Sequence, residues 1–490
     1  MRDDPVGGAA RPEVRDSVGA RRSEGKPVHN PGSLSNPASF RDPSGAVFTR
    51  DGVVYRQIHA TFAEEWRRFI DSGLYEDLAA RRLVVRHEEA DLGLALDGRA
   101  WRVIRPTQID FISYPYEWSF SQLKDAALAT LTLQEKALAA GMTLKDASAY
   151  NIQFVSGKPI LIDSLSFETR APGSPWVAYR QFCQHFLGPL ALMAYRDPRC
   201  GLLLRDFIDG LPLDLVSRLL PARTRLRLGL AAHVHAQARA QRQGGGAQAA
   251  RASRVRVSDT GQLALLDSLR RTVDGLRWAP AGTAWASYTT TTSYTPSAAR
   301  AKAALVRELL ADCRAATVWD VGANTGAFSA IAAAEGRQVI ALDSDPAAIE
   351  RLYLRVKSGE VKGVLPLVMD LANPSPALGW DLRERPSLLD RAGDSTVLAL
   401  ALVHHLAIAG NVPLPNVSAF FAALGSELIV EFVPKDDPQT AGLLASRADV
   451  FPDYTLDGFK AAFARDFRLV REVAIPESRR VLFSMRRTPA

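Results

Sequence analysis

Asp320, Gly322, Asn324 and Gly326 stand in the run Thr317-Val318-Trp319-Asp320-Val321-Gly322-Ala323-Asn324-Thr325-Gly326, where an apolar segment meets a D-x-G-x-x-x-G turn. A strand that runs into a glycine turn and then a helix is how open α/β sheets bring a nucleotide-like ligand against the backbone. In the G-x-G-x-x-G turn of dinucleotide sites the middle glycine lets a pyrophosphate approach; Asn324 occupies that place here. The loop therefore suits a cofactor without phosphates, and Asp320, two residues before the first glycine, offers a carboxylate to an ammonium group. A second acid, Asp343, closes the apolar run Gln338-Val339-Ile340-Ala341-Leu342, 17 residues past Gly326, where ribose-binding carboxylates lie. The residues after it, Ser344-Asp345-Pro346, read as a helix cap followed by proline in the first turn, a role compatible with ribose binding at Asp343.

The elements that must position these groups follow in order. A third strand is expected over Gly363 to Met369, ending at Asp370-Leu371, and a fourth over Thr396 to Val403, ending at His404-His405-Leu406. A fifth is expected from Glu427 to Val433, with Glu431 inside it, and a terminal hairpin over Phe467 to Ile475 and Arg480 to Met485. Adjacent strand residues point to opposite faces, so at most one of His404 and His405 is expected to face a cofactor.

This succession resembles class I S-adenosylmethionine-dependent methyltransferases over about residues 285–490. The resemblance implies an α/β, Rossmann-like domain with a mostly parallel seven-stranded sheet, and S-adenosylmethionine as cofactor. It places the cofactor against Asp320, Gly322, Ala323, Asn324 and Gly326, with Asp343 on the ribose hydroxyls. Asp370 would accept the adenine amino group, and the backbone N–H of Leu371 would meet the ring. His404, His405 or Glu431 would serve as base for an alcohol or protonated amine acceptor. Trp285, Tyr288 and Tyr294, just before the first strand, are expected to form a lid or simple packing.

In the N-terminal half, Ala46 to Thr49 and Val53 to Ile58 flank Asp51-Gly52 and read as a hairpin. Helical periodicity runs from Phe62 to about Ala80, with a break at Gly73. Further strands are expected around Leu83-Val84-Val85 and on either side of Asp97-Gly98, leading to Ile109 to Tyr114. A long helix follows from about Ser121 to Ala140. A strand-rich lobe followed by a helical lobe is an α+β arrangement.

Asp146 and Asn151 lie five apart, and Asp163 ends the next apolar strand. This looks like the D-x-x-x-x-N catalytic loop and metal-binding acid of protein kinases and small-molecule phosphotransferases. The resemblance implies a kinase-like two-lobed domain over 41–240, with magnesium and ATP as the ligands of an active form. Four departures bear on activity. No lysine occurs between Lys26 and Lys124, so Arg56 is the nearest substitute for the phosphate-binding strand lysine. No glycine-rich loop precedes it, Leu144 replaces the usual histidine, and Asp163 is followed by Ser164-Leu165-Ser166. Arginine's planar fork does not reproduce the compact lysine ammonium. Across about 40–490 the chain is similar to a bacterial group of class I methyltransferases linked to nodulation proteins. In that group a W-S-F-S-Q-L-K-D-A-A-L block, here Trp118 to Leu128, precedes the Asp-Asn loop.

At 490 residues the chain exceeds one usual core. Residues 1–40, rich in Gly, Pro, Ser, Arg and Asp, are expected to be a disordered tail, and 241–284 a basic flexible linker between 41–240 and 285–490. Cys183, Cys200 and Cys313 are scattered, which supports neither a disulfide framework nor a zinc knuckle, and no metal site is expected from them. With no apolar leader and no run long enough to span a bilayer, a cytoplasmic protein without a membrane partner is expected. The formal net charge is +7, and nine arginines without an acid lie between Arg218 and Ser258. No aromatic residues are interleaved with them, so nucleic acid is the weaker partner expectation. The leading expectation is a methyltransferase whose kinase-like domain binds or presents a small-molecule or macromolecular acceptor. A phosphotransferase or bifunctional protein, and a non-catalytic ligand-sensing scaffold, are the alternatives.

Overall fold

The computed structural model describes residues 36–242, 256–280, 294–445 and 448–489. The tail over 1–35, the Gly244–Gly246 segment, Trp285 and Tyr288 lie outside the described residues. Near the N-terminus, β1 (Gly45–Arg50), β2 (Val53–His59), β3 (His87–Ala90) and β4 (Ala100–Pro106) form an antiparallel sheet in the order β1-β2-β4-β3. The Asp51-Gly52 turn sets the β1–β2 register, pairing Arg50 with Val53. Helices Ala63–Asp71 and Leu74–Ala80 meet at Gly73, where the expected break falls. The segment Leu83-Val84-Val85 is not a strand: Val84 makes only an isolated bridge to Leu161, and the strand begins at His87. Its apolar side chains are core contacts of a crossing segment. Ile109 to Tyr114 likewise carries no strand.

The helix Phe120–Ala139 opens on a capping box in which Ser119 and Gln122 exchange side-chain to backbone hydrogen bonds. Short strands β5 (Met142–Leu144), β6 (Ile152–Val155), β7 (Lys158–Leu161) and β8 (Phe167–Thr169) pair as β5–β8 and β6–β7. Helical segments then fill most of 179–242, and within the expected linker 241–284 the stretch Asp259–Gly275 is instead a helix that buries Leu266, Leu269 and Val273 in the core.

The C-terminal half builds one seven-stranded sheet from β9 (Thr317–Val321), β10 (Gln338–Asp343), β11 (Val364–Val368), β12 (Ser395–Ala399), β13 (Glu427–Phe432), β14 (Phe467–Ala474) and β15 (Val481–Arg487). The order is β11-β10-β9-β12-β13-β15-β14; β9 to β13 are parallel, and the β14–β15 hairpin runs antiparallel. Strands of a parallel sheet covered on both faces are buried along their whole length, as β12 and β13 are, although β13 carries Glu427 and Glu431. The order reverses between β9 and β12, so their carboxyl ends diverge into loops on opposite sides and leave a crevice. β12 is shorter than its sequence pattern: Ala401 takes a positive φ of 51° and the chain turns from strand into helix, although Leu400 to Val403 stay apolar.

The two halves share one continuous apolar cluster. In it the Phe111 ring meets Trp319 edge-on at 5.2 Å, and Phe154 meets Tyr353 at 5.8 Å. Polar contacts across this seam come largely from the 118–128 block and the residue before it. Gln122 Nε2 donates to Pro366 O at 3.1 Å, Ser121 N to Glu350 at 2.9 Å, and Tyr353 Oη to Asp125 at 2.7 Å. Glu117, buried, accepts from Ser375 and forms an ion pair with Arg391.

Candidate functional site

A cavity of about 370 Å³ opens at the carboxyl ends of β9, β10, β11 and β12. Gly322 and Asn324 form its β9 wall, Asp343 and Ser344 its β10 wall, and Met369, Asp370, Leu371 and Ala372 its β11 wall. Leu400, Ala401, Leu402, His405 and Leu406 close the β12 side. Gly322 sits at φ 80°, and a Cβ there would lie 3.3 Å from Leu402. Gly326, at φ 78°, caps the helix Ala327–Ala334, and a Cβ on it would collide with Leu352. The first glycine thus keeps backbone at the cavity wall, whereas the second serves the packing of helix on helix.

Asp343 Oδ2 accepts the backbone N–H of Asn324 at 2.8 Å, and Oδ1 that of Asp345 at 2.8 Å. These bonds fix the carboxylate facing the cavity and leave lone pairs for two neighbouring hydroxyls. Burial raises its pKa, against the pull of those N–H groups. Asp345 caps the helix Pro346–Ser358 by accepting from Ala347 N, so capping and cavity lining fall to different acids. Asp370 bonds Ala372 N at 2.9 Å and stays exposed at the cavity rim.

Asp320 does not line the cavity. It is buried beneath the glycine turn with Ser329 Oγ donating to it, and burial pushes its pKa up to about 6. Ala323 is likewise buried under the turn.

His404 and His405 lie not on a strand but at the start of the helical turn His405–Ala409, so strand alternation is not what separates them. Successive helical positions diverge by about 100° instead. His405 lines the cavity, whereas His404 is fully buried with neither ring nitrogen hydrogen-bonded. Burial, and then His405, drive the His404 pKa down to about 2, so it is neutral. Burial, and then Arg480, also lower His405, leaving a neutral imidazole at the cavity wall.

Glu431 is no cavity base. It is the hub of a buried cluster, paired with Lys302 at 2.6 Å and Arg480 at 3.4 Å, with the Tyr294 hydroxyl donating to it. Arg480 in turn holds Asp437 at 2.7 and 2.9 Å. Burial pushes the Glu431 carboxyl up, but Lys302 and Arg480 outweigh it and hold it below its ordinary range. Tyr294 packs under both cations, 5.0 Å from Lys302 and 4.6 Å from Arg480, so it is an internal ring and not a lid. The sequence shows Lys302 as one of three cations, with Arg300 and Arg307, in an alanine-rich helix, but nothing in it joins positions 302, 431, 437 and 480.

The four residues of the kinase-like loop do gather. Arg56 on β2 forms an ion pair with Asp163, which also accepts from Ser166 Oγ at 2.7 Å and Leu165 N at 3.1 Å. Asp146 accepts from Gln181 Nε2 at 2.7 Å and Ser148 N at 2.9 Å, with Asn151 beside it. Burial, and then the Asp163 charge, raise the Asp146 pKa. Among the described residues no three His, Cys, Asp or Glu side chains gather as a metal site, and no helix is long and apolar enough to cross a membrane.

Fold and site together define an α/β protein with a ligand-sized cavity at the switch point of a mostly parallel sheet. No protein-family model matches the chain. Nodulation protein NoeA of Rhizobium meliloti (strain 1021) is 34% identical over 471 residues, covering 92% of this chain and 95% of the relative. The chain belongs to the family of that nodulation protein. Among solved structures, WbdD matches at 14% identity and TM-score 0.29, over 38% of this chain and 40% of its own. The N-methyltransferase NodS of Bradyrhizobium japonicum WM9 matches at 13% and 0.29, over 39% of this chain and 97% of its own. Magnesium protoporphyrin IX methyltransferase of Synechocystis PCC 6803 matches at 19% and 0.28, over 39% and 83%.

Proposed function

We propose that this protein is a class I S-adenosylmethionine-dependent methyltransferase, with its N-terminal domain helping to bind or present the acceptor. The observation that carries the reading is the pairing of Asp343 and Asp370 across one cavity that also holds Gly322 and His405. The fit test is chemical. An adenosyl amino acid brings two ribose hydroxyls, which suit a carboxylate already fixed by two backbone donors, and an adenine amino group, which suits an acceptor at the β11 end. Phosphates would instead face Asp343 and Asp370 with no cation among the cavity's lining residues.

The cofactor supplies an electrophilic methyl group. The chain's own residues orient and desolvate: Gly322, Leu400 and Leu402 exclude water from the reacting end, and holding two reactants in line is worth roughly 7–11 kcal/mol. His405, neutral at the wall, takes a proton from an alcohol or ammonium acceptor. Asp320, buried below the turn and bonded to Ser329, would supply negative potential beneath this end of the cavity without touching the cofactor.

Calorimetry on the whole chain with S-adenosylmethionine and S-adenosylhomocysteine tests the reading. Micromolar binding of both is expected, weakened tenfold or more by Asp343→Ala, about 1.4 kcal/mol. Absence of binding by the unmodified protein would abandon it.

A further inference from the structure

Beyond the first cavity lies a second, of about 220 Å³, enclosed by both halves of the chain. Tyr116, Trp118, Ser119 and Phe120 contribute one side of it, the three aromatic residues themselves buried. Between them Glu117 holds Arg391 of the other half, while Ser119, which also lines the cavity, caps the long helix. Met369 and Asp370, from the β11 end, are shared with the first cavity, while Arg199 and Arg205 close the opposite side.

Two polar groups in this cavity have unused capacity. Tyr116 is 3% exposed, and its hydroxyl has no hydrogen-bond partner. A buried hydroxyl left so is destabilising, and a ligand acceptor would relieve it. Arg199 is committed to Asp197, with bonds of 2.8 and 2.7 Å. Arg205 is half-buried and, among the described residues, makes no hydrogen bond or ion pair. A single free guanidinium fork matches one carboxylate. The Asp370 carboxylate on the far wall disfavours a dianion. The volume is just below the roughly 300–1,000 Å³ of drug-sized sites, which leaves room for one ring and its substituents.

We propose that this seam cavity binds a small ring-bearing monocarboxylate, its carboxylate on Arg205 and a hydrogen-bond acceptor on the Tyr116 hydroxyl. The inference is independent of methyl transfer, since neither residue lines the first cavity.

Titration of the full chain with 4-hydroxybenzoate, its neutral analogue 4-hydroxybenzamide, and phenyl phosphate tests it. Saturable one-to-one binding of the carboxylate is expected, with Kd below about 1 mM. Arg205→Gln should weaken the carboxylate about tenfold and leave the amide unchanged, while Tyr116→Phe should weaken both severalfold. S-adenosylhomocysteine affinity should stay the same in both variants, which also shows that they fold. Failure of the carboxylate to saturate, insensitivity to both substitutions, or tighter binding of phenyl phosphate than of 4-hydroxybenzoate would each overturn the proposal. If S-adenosylhomocysteine fails to bind while the carboxylate binds as described, only the methyltransferase reading falls.

Discussion

Asp163 and Asp343 each end an apolar strand, are largely buried and accept backbone N–H groups, yet their surroundings differ. Asp163 faces inward to Arg56 on β2 and to Ser166, so its charge is answered by the chain. Asp343 is held by two N–H donors and otherwise faces a cavity. Strand ends alone therefore do not distinguish a binding acid from a structural one; the distinction is whether a side-chain cation reaches it. By that measure the buried cluster around Glu431 belongs with Asp163, and the β10 and β11 acids stand apart.

The largest effect expected of this contrast is on stability. Replacing Arg480 with methionine strands Glu431 and Asp437 without their shared cation, and breaking a buried pair in this way costs about 3–5 kcal/mol. Urea unfolding should show the loss; a change below about 1 kcal/mol would mean that the cluster is hydrated and open, and the contrast with Asp343 would fail.

Next is the pH dependence of Asp320. Burial raises its pKa to about 6, above the ordinary 3.8. Between those values the native chain keeps a proton that the unfolded chain has shed. Its contribution to stability is therefore present below about pH 4 and lost as pH rises through about 6, roughly 3 kcal/mol in all. Asp320→Asn should flatten that part of a stability–pH curve. If the slope persists in the variant, some other group titrates there.

Which parts of this were legible in the sequence follows from how local their causes are. The β1–β2 hairpin, the long helix expected from about Ser121 to Ala140 and the span of β10 are written in neighbouring residues, and the structure has each. The sequence pattern carries β12 on to Val403 because Leu400 to Val403 are as apolar as the strand, but they owe this to the cavity wall and packing beyond the sheet. The two histidines came out on a helical turn for the same reason. Glu431 looked available because its partners stand 129 and 49 residues away, at Lys302 and Arg480, and burial of that kind leaves no periodic trace. The 118–128 block was visible as a pattern, while its use as a seam between halves required the partners Glu350, Tyr353 and Pro366.

A smaller effect is expected on ligand affinity, at the open member of the comparison. Asp343→Ala should cost about 1.4 kcal/mol or more in S-adenosylhomocysteine binding without unfolding the chain, because no buried cation is left unpaired. A Tm drop of many degrees together with lost binding would instead place Asp343 among the structural acids.

The smallest effect, and the sharpest, concerns Asp146. Its carboxylate accepts from Gln181 and Ser148 through one oxygen, an arrangement that an asparagine carbonyl reproduces. Burial and the neighbouring Asp163 charge already disfavour its ionised form, so Asp146→Asn removes a repulsion while keeping both bonds. The expected outcome is a chain as stable as the original or more so, by up to about 1 kcal/mol, with S-adenosylhomocysteine affinity unchanged. An acid kept for phosphotransfer would behave otherwise: its loss would abolish any magnesium-dependent nucleotide turnover shown by the unmodified protein. Measuring that turnover beside the unfolding curve therefore decides whether the N-terminal acids are a closed internal network, as their bonds to Arg56 and Gln181 indicate, or a second reaction centre.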